Sequence, residues 1–340
     1  MNKKFWLLCF FAITSVIVGL FFGAADFSNR ELLSCLVDSC SSEVNEMIFW
    51  EIRAPRVLVG FLVGAGLAVA GATLQNVTRN GLADPYLFGV VSGAGLGASI
   101  ATLLFDSNFA ENLGLLSLLP GISFSLALPF AAFLGALFSV ILVQLLVTRT
   151  FGSKTEHMLL AGIAVSFMLS ALSHFILFMA EPFAANKVIF WLMGSLARIE
   201  TWYAWVILPV LIVSVSLLLL YGRHMDALLI GDENAKTLGV HVGRLRILSL
   251  ATCAALTACI VAYCGGIGFV GLMIPHIIRN WLGVTSRTLI IGCVLLGGAF
   301  LVWVDVIARI ALPDQEIPIG IITSAIGSIF FLLAMRQRNT

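Results

Sequence analysis

Five histidines, seven cysteines and several glycine-rich runs are the groups with which this 340-residue chain could do chemistry. His157, His174, His224, His241 and His276 fall on separate segments, and none has a His or Cys partner at metal-ligand spacing. Cys9, Cys253, Cys259, Cys264 and Cys293 lie in apolar runs and read as small hydrophobes. Cys35 and Cys40, five residues apart, can pair in an oxidising compartment or stay as two thiols, and the spacing leaves both open. A Gly-Lys dipeptide occurs nowhere, so the chain has no G-x-x-x-x-G-K-[ST] phosphate loop. No ionisable side chain is identified at mid-membrane depth, where a proton or ion relay would need one. Catalysis and metal coordination thus have no candidate residues, and the informative positions are those that can shape helices or hold partners.

Four stretches have that character. The first runs from Arg53-Ala-Pro-Arg56 through an apolar, glycine-rich span to Arg79-Asn80-Gly81-Leu82-Ala83-Asp84-Pro85, and on to Gly89 and Gly93. Asp84 can accept from free backbone N–H groups and Pro85 suits a first turn, so a helix is expected to open there. Gly60 and Gly64, Gly89 and Gly93, and Gly93 and Gly97 are four apart, which lets helix backbones approach closely. The second is Gly231-Asp232-Glu233-Asn234-Ala235-Lys236-Thr237-Leu238-Gly239-Val240, within a polar segment at about 223–246. Asp232 can cap a short helix and Gly239 can end it. Such a helix either docks a partner or is an ordinary connector. The third is the set Arg53, Arg56 and Arg309, which can take carboxylates of a docking protein in a fork geometry. The alternative is internal pairing, Arg309 with Asp305 and Arg53 with Glu51 or a lipid phosphate. The fourth is Gly265-Gly266-Ile267-Gly268-Phe269-Val270-Gly271 up to Pro275-His276, which breaks a long apolar run at what reads as the outer end of a hairpin.

The elements that must position these residues are membrane spans. The chain is 60% hydrophobic and 11% charged, against about a quarter charged in soluble domains. Segments free of Asp, Glu, Lys and Arg cover 5–25, 57–78, 85–105, 112–148, 157–180, 201–222, 247–278, 288–304 and 317–335. A span needs ~20 apolar residues. Pro120-Gly121 and Pro129 reduce 112–148 to a loop and one helix, whereas the glycine run and Pro275 split 247–278 in two. The expectation is an all-α polytopic membrane protein of ten helices with both termini cytoplasmic. With that topology 13 of the 19 basic residues fall inside and 13 of the 18 acids outside, as the positive-inside rule requires. The net charge of +1 conceals this polarity and leaves no basic patch for nucleic acid. The first segment, preceded by Lys3 and Lys4 and followed by Gly23-Ala24-Ala25, has some features of a signal peptide; its apolar stretch is long for one, and retention is expected. No soluble domain fits, so 1–340 is one domain. Two sets of five helices leave room for an inverted repeat, to which only Arg79-Asn80 and Arg279-Asn280 lend support.

Together these motifs resemble the FecCD-type permease family, the membrane subunits of ABC importers for ferric siderophores, haem and cobalamin. The resemblance runs end to end. It rests on Arg53–Arg56, Arg79–Gly89, Gly231–Val240, Gly265–His276, Asp305–Arg309 and Glu316-Ile317-Pro318-Ile319-Gly320. Gly81 departs from it, since the family commonly has proline there. The resemblance implies a permease in the bacterial inner membrane, without an ATP site of its own, carrying a ferric siderophore first and haem or cobalamin next. It implies a second permease subunit, two ATPase subunits holding ATP and Mg2+, and a periplasmic substrate-binding protein. Gly231, Asp232, Glu233, Ala235, Leu238, Gly239 and Val240 would couple to the ATPase, and Arg53, Arg56 and Arg309 would receive the binding protein's acids. Arg79, Asn80, Asp84, Pro85, Gly89, Gly93, Gly265, Gly268, Gly271 and Pro275 would serve as hinge and packing positions. The fifth and tenth helices, about 155–179 and 317–335, would line the pathway. No metal site or resident cofactor is implied. An ion-coupled secondary transporter and a non-transporting helical subunit of a membrane complex stay open as alternatives; neither requires Gly231–Val240.

Overall fold

The structure is a computed structural model describing residues 3–23, 35, 40, 42–105, 124–147, 155–313 and 315–336. The Pro120-Gly121 turn lies outside the described residues. Every regular element among them is helical. In chain order the α-helices are α1 (Lys3–Phe21), α2 (Glu43–Met47), α3 (Ala54–Thr78), α4 (Val90–Phe105), α5 (Phe124–Leu146), α6 (Thr155–Met179), α7 (Pro182–Leu192), α8 (Thr201–Leu220), α9 (Gly222–Leu229), α10 (Asp232–Thr237), α11 (Val242–Cys264), α12 (Val270–Leu282), α13 (Ser286–Ile310) and α14 (Ile319–Arg336), with a π-helical stretch Ile48–Arg53 before α3 and a 3-10 turn Pro85–Phe88 before α4. Seven helices among the described residues are long and apolar enough to cross a membrane, while 90–105 and 319–334 are shorter apolar helices. This defines a polytopic helical membrane protein.

Helix α3 is the centre. Its sequence is apolar and small all round, with glycine or alanine at nearly every turn, and nearly all of it is buried. A helix apolar on every face belongs inside a bundle. It packs against α13, α11, α12 and α8. The approach to α13 is set by Gly64, where a Cβ would lie 2.1 Å from the Gly297 carbonyl oxygen. The α4–α5 seam has the same construction: a Cβ on Gly97 would lie 2.0 Å from the Ala131 oxygen, and one on Gly93 2.2 Å from that of Gly135. Gly60 is different, facing only the Leu196 side chain at 3.2 Å. Helix α1 buries a stripe of Leu8, Ala12, Ser15 and Gly19 against α13, where Trp303 Nε1 donates to Ser15 Oγ at 3.0 Å. It is an integral member of the bundle.

The Gly265–Gly268 run is not an outer turn. Helix α11 ends at Cys264 and α12 opens at Val270. The position a Cβ would take on Gly271 is 3.3 Å from Gly71 Cα, deep in α3 and about 10 Å from its end at 1.5 Å per residue. The break therefore lies inside the bundle. Helix α12, with 13 residues, is about 20 Å long, shorter than the ~30 Å hydrocarbon layer. Pro275 does not open this helix either; it sits inside it. Proline has no N–H to give to the carbonyl four residues back. That carbonyl, Gly271 O, instead accepts from Gln75 Nε2 at 2.9 Å.

Non-helical backbone at membrane depth must be satisfied by protein, and here three breaks satisfy each other. Ser195 N–H donates to Cys264 O at 2.9 Å, Gly266 N–H to Leu192 O at 3.3 Å, Ile319 N–H to Gly194 O at 2.9 Å and Gly320 N–H to Met193 O at 3.1 Å. Cβ atoms on Gly194, Gly265 or Gly320 would come within 2.3 Å of backbone oxygens. The Tyr86 hydroxyl completes the junction, accepting from Ile267 N–H and donating to Ile267 O, both at 2.8 Å.

Candidate functional site

Two clusters of charged and polar side chains sit at opposite ends of α3. At its N-terminal end are the three arginines. Arg56 donates to Asp305 through Nε at 2.9 Å and Nη2 at 2.8 Å, and to both Glu316 carboxylate oxygens at 2.8 and 2.9 Å. Arg309 pairs with Asp305 at 3.0 Å and donates to Phe22 O at 2.7 Å and Gly19 O at 3.3 Å. Arg53 donates to Leu20 O at 3.2 Å and Phe21 O at 3.4 Å. Cations on the last carbonyls of α1 complement its negative dipole end. Arg53, Arg56 and Arg309 are only 4, 7 and 5% exposed. They tie α1, α3, α13 and the segment before α14 together, so they do not form an open arginine face. Of the sequence alternatives, the Arg309–Asp305 pair is present and Arg53 sits on α1 carbonyls. Near this end Cys35 and Cys40 form a disulfide.

At the other end α3 stops at Thr78, with Arg79 in the left-handed conformation at φ 52°. Asn80 Oδ1 then accepts from Leu82 N–H at 2.9 Å. Asp84 accepts from Tyr86 N–H at 2.8 Å, as expected of a cap. What it opens is one 3-10 turn, Pro85–Phe88, that ends on Gly89 at φ 74°. The next helix starts only at Val90.

The short helix of the Gly231–Val240 segment is Asp232–Thr237, ending on Leu238 with Gly239 left-handed at φ 81°. Val240 N–H returns to Ala235 O at 3.0 Å. Asp232 is not its cap. Gly231 holds that position, without a side-chain cap bond, and the Asp232 carboxylate turns inward. Its Oδ1 accepts from Arg79 Nη2 and Arg246 Nη2, both at 3.0 Å. Ala235 is fully buried, while Leu238 is 66% exposed. Glu233 and Lys236 pair at 2.8 Å on the outer surface, and this hydrogen bond raises the Lys236 pKa. The segment therefore has an inner side that grips the bundle and an outer side of Glu233, Lys236 and Leu238.

Behind it runs a polar cluster that the sequence reading missed. Arg279 donates to Asn76 Oδ1 at 3.0 Å and to Gln75 Oε1, and Asn76 Nδ2 donates to Ser286 Oγ at 3.2 Å. Asp226 of α9 accepts from Ser286 N–H, the first residue of α13, at 2.7 Å. No motif in the sequence marks this cluster, because its members come from α3, α9, α12 and α13. The Arg79-Asn80 and Arg279-Asn280 pairs differ in geometry, since Arg79 ends a helix and Arg279 lies within one.

The class of protein is thus a helical membrane bundle with an interrupted interior and a short helix projecting at one end. The chain belongs to the FecCD transport family, whose model matches residues 10–337. It is 39% identical over 297 residues to the cobalamin import system permease protein BtuC of Halobacterium salinarum, covering 87% of this chain and 75% of that protein. It is 34% identical over 307 residues to the Fe(3+) dicitrate transport system permease protein FecD of Escherichia coli, covering 89 and 90%. A solved structure described as an inward-facing metal-chelate type ABC transporter superposes with a TM-score of 0.83 at 28% identity, over 99% of this chain and 100% of that one.

Proposed function

We propose that this chain is the permease subunit of an ATP-driven importer of a metal chelate, with ATP and Mg2+ held by a separate ATPase pair. The observation that carries this reading is α10. A six-residue helix has no stability of its own; here it is anchored on one side and offers Glu233, Lys236 and Leu238 on the other. That is a surface for a partner that pushes on the bundle. Gly231, Asp232, Ala235, Gly239 and Val240 shape it from within.

The remaining assignments extend this reading. Ten helices with cytoplasmic termini count α4, α12 and α14 as spans despite their length. A second permease copy covers the apolar faces of α6 and α14, where Phe167, Phe175, Ile329 and Leu332 are exposed in the single chain, and the pathway lies between them. A periplasmic substrate-binding protein docks at the Arg53–Arg56–Arg309 end. With the arginines buried, its acids compete for Arg56 with Glu316, whose side chain is 32% exposed. The location is the bacterial inner membrane.

The cargo reading is a ferric chelate, with cobalamin second on the strength of the relatives that carry that name. The test is uptake into proteoliposomes of the chain with its ATPase and binding protein. Labelled ferric siderophore or labelled cobalamin should accumulate only with ATP. Accumulation driven by an ion gradient without ATP would support a secondary transporter instead, and no flux under either condition a non-transporting subunit.

A further inference from the structure

Resting on that reading, we infer that Asp232, Arg79 and Arg246 form a charged joint through which movement of α10 reaches α3 and α11, and that Arg246 is a positioning residue for transport. One carboxylate oxygen serves both arginines at 3.0 Å. Arg79 is the left-handed end of α3. Arg246 belongs to α11 and also donates through Nε to Val77 O at 3.4 Å, so it holds the last turn of α3 as well. Apart from this pair of contacts, α10 is held by the buried Ala235 and by packing on its chain neighbours α9 and α11. A small apolar contact resists pulling poorly, because it has no direction. A charged hydrogen bond has direction, and two of them converging on one oxygen pin that point of α10 to α3 and α11 at once.

From the joint the polar connections continue without a gap. Gln75 and Asn76 lie within one turn of Val77 and Arg79 on α3. They hold Arg279 of α12 and, through Asn76, Ser286 at the start of α13. Displacing α10 therefore bears on four helices at their shared end, including the short α12 that enters the interrupted interior. This is a contiguous physical linkage of packed and hydrogen-bonded groups, of the kind a two-state bundle needs. The joint is partly in water: the Asp232, Arg246 and Arg79 side chains are 29, 22 and 43% exposed. It can break and re-form during a cycle, where a fully buried pair could not.

The experiment compares the parent permease with Arg246→Gln, Arg246→Lys and Asp232→Asn, each assembled with its ATPase pair and binding protein in proteoliposomes. Three quantities are read: affinity for the ATPase pair, ATP hydrolysed, and substrate taken up per ATP. Arg246 lies outside the partner-facing side of α10. Arg246→Gln should keep ATPase affinity within twofold while uptake per ATP falls about tenfold. Asp232→Asn should lower uptake per ATP to a similar extent, and Arg246→Lys, which keeps the charge, should recover at least half of the loss. Unchanged uptake per ATP in both Arg246→Gln and Asp232→Asn overturns the joint. So does a loss of uptake matched throughout by loss of ATPase binding, which would make these residues part of the docking surface. If Arg246→Gln does not assemble, Asp232→Asn alone decides on the same ratio. Failure of the parent itself to bind an ATPase pair would sink the importer reading, a result distinct from either of these.

Discussion

Changing Asp305 to asparagine keeps the shape of the side chain and removes one negative charge from the most buried ionic cluster among the described residues. Asp305 is 1% exposed and serves both Arg56 and Arg309. The cluster holds three arginines, Arg53, Arg56 and Arg309, against two carboxylates, Asp305 and Glu316. Removing one partner of a buried pair costs about 3–5 kcal/mol, because the cation left behind stays desolvated. An entropy of unfolding of ~2.1 cal/mol/K per residue gives ~0.7 kcal/mol/K for a chain of this length, so Tm should fall by about 4–7 °C. Helices that persist in detergent make the real entropy smaller and the shift larger. The purified protein suits a thiol-reactive dye, since Cys253, Cys259, Cys264 and Cys293 are buried and react only on unfolding. Glu316→Gln is the control. Its side chain is 32% exposed, water screens it, and about 1 kcal/mol or less is expected, a fall of less than about 2 °C. A Tm for Asp305→Asn within 1 °C of the parent, or an equal fall for both variants, would refute the claim that burial makes this cluster hold the helix ends.

Two further substitutions probe the other elements. Tyr86→Phe strands the Ile267 N–H and C=O inside the bundle, and should cost about 2 kcal/mol, seen as a lower Tm with no change in helix content by circular dichroism. Gly239→Ala has open space for its Cβ but a left-handed backbone, so it should destabilise by about 1 kcal/mol through conformation alone. Faster proteolysis within 231–240, with the bundle intact, would report it.

Much of the fold was legible because a membrane leaves a simple record. Spans must be apolar for ~20 residues, so α1, α3 and α8 could be placed within a few residues from composition. Small residues four apart marked real seams at Gly64, Gly93 and Gly97. The Asp84-Pro85 cap and the short helix before Gly239 followed from local backbone chemistry, which depends only on neighbours in the chain.

The interior was a different matter. Gly265–Gly268 reads as a turn from its own sequence, and only the packing of Gly271 on Gly71 puts it within the bundle. Pro275 reads as a boundary until Gln75, two hundred residues away, is found supplying the missing hydrogen bond. Arg53, Arg56 and Arg309 have the chemistry of an exposed docking face, yet their burial depends on Asp305, Glu316 and the α1 carbonyls. Asp232 was expected to act along its own helix and instead acts across to Arg79 and Arg246. Sequence alone determined the solvent, the approximate spans and the local caps, since each is decided by residues within a few positions of one another. Tertiary structure alone decided which charges are satisfied and where the helices break, because a buried charge or an orphaned carbonyl takes its partner from whichever helix lies alongside.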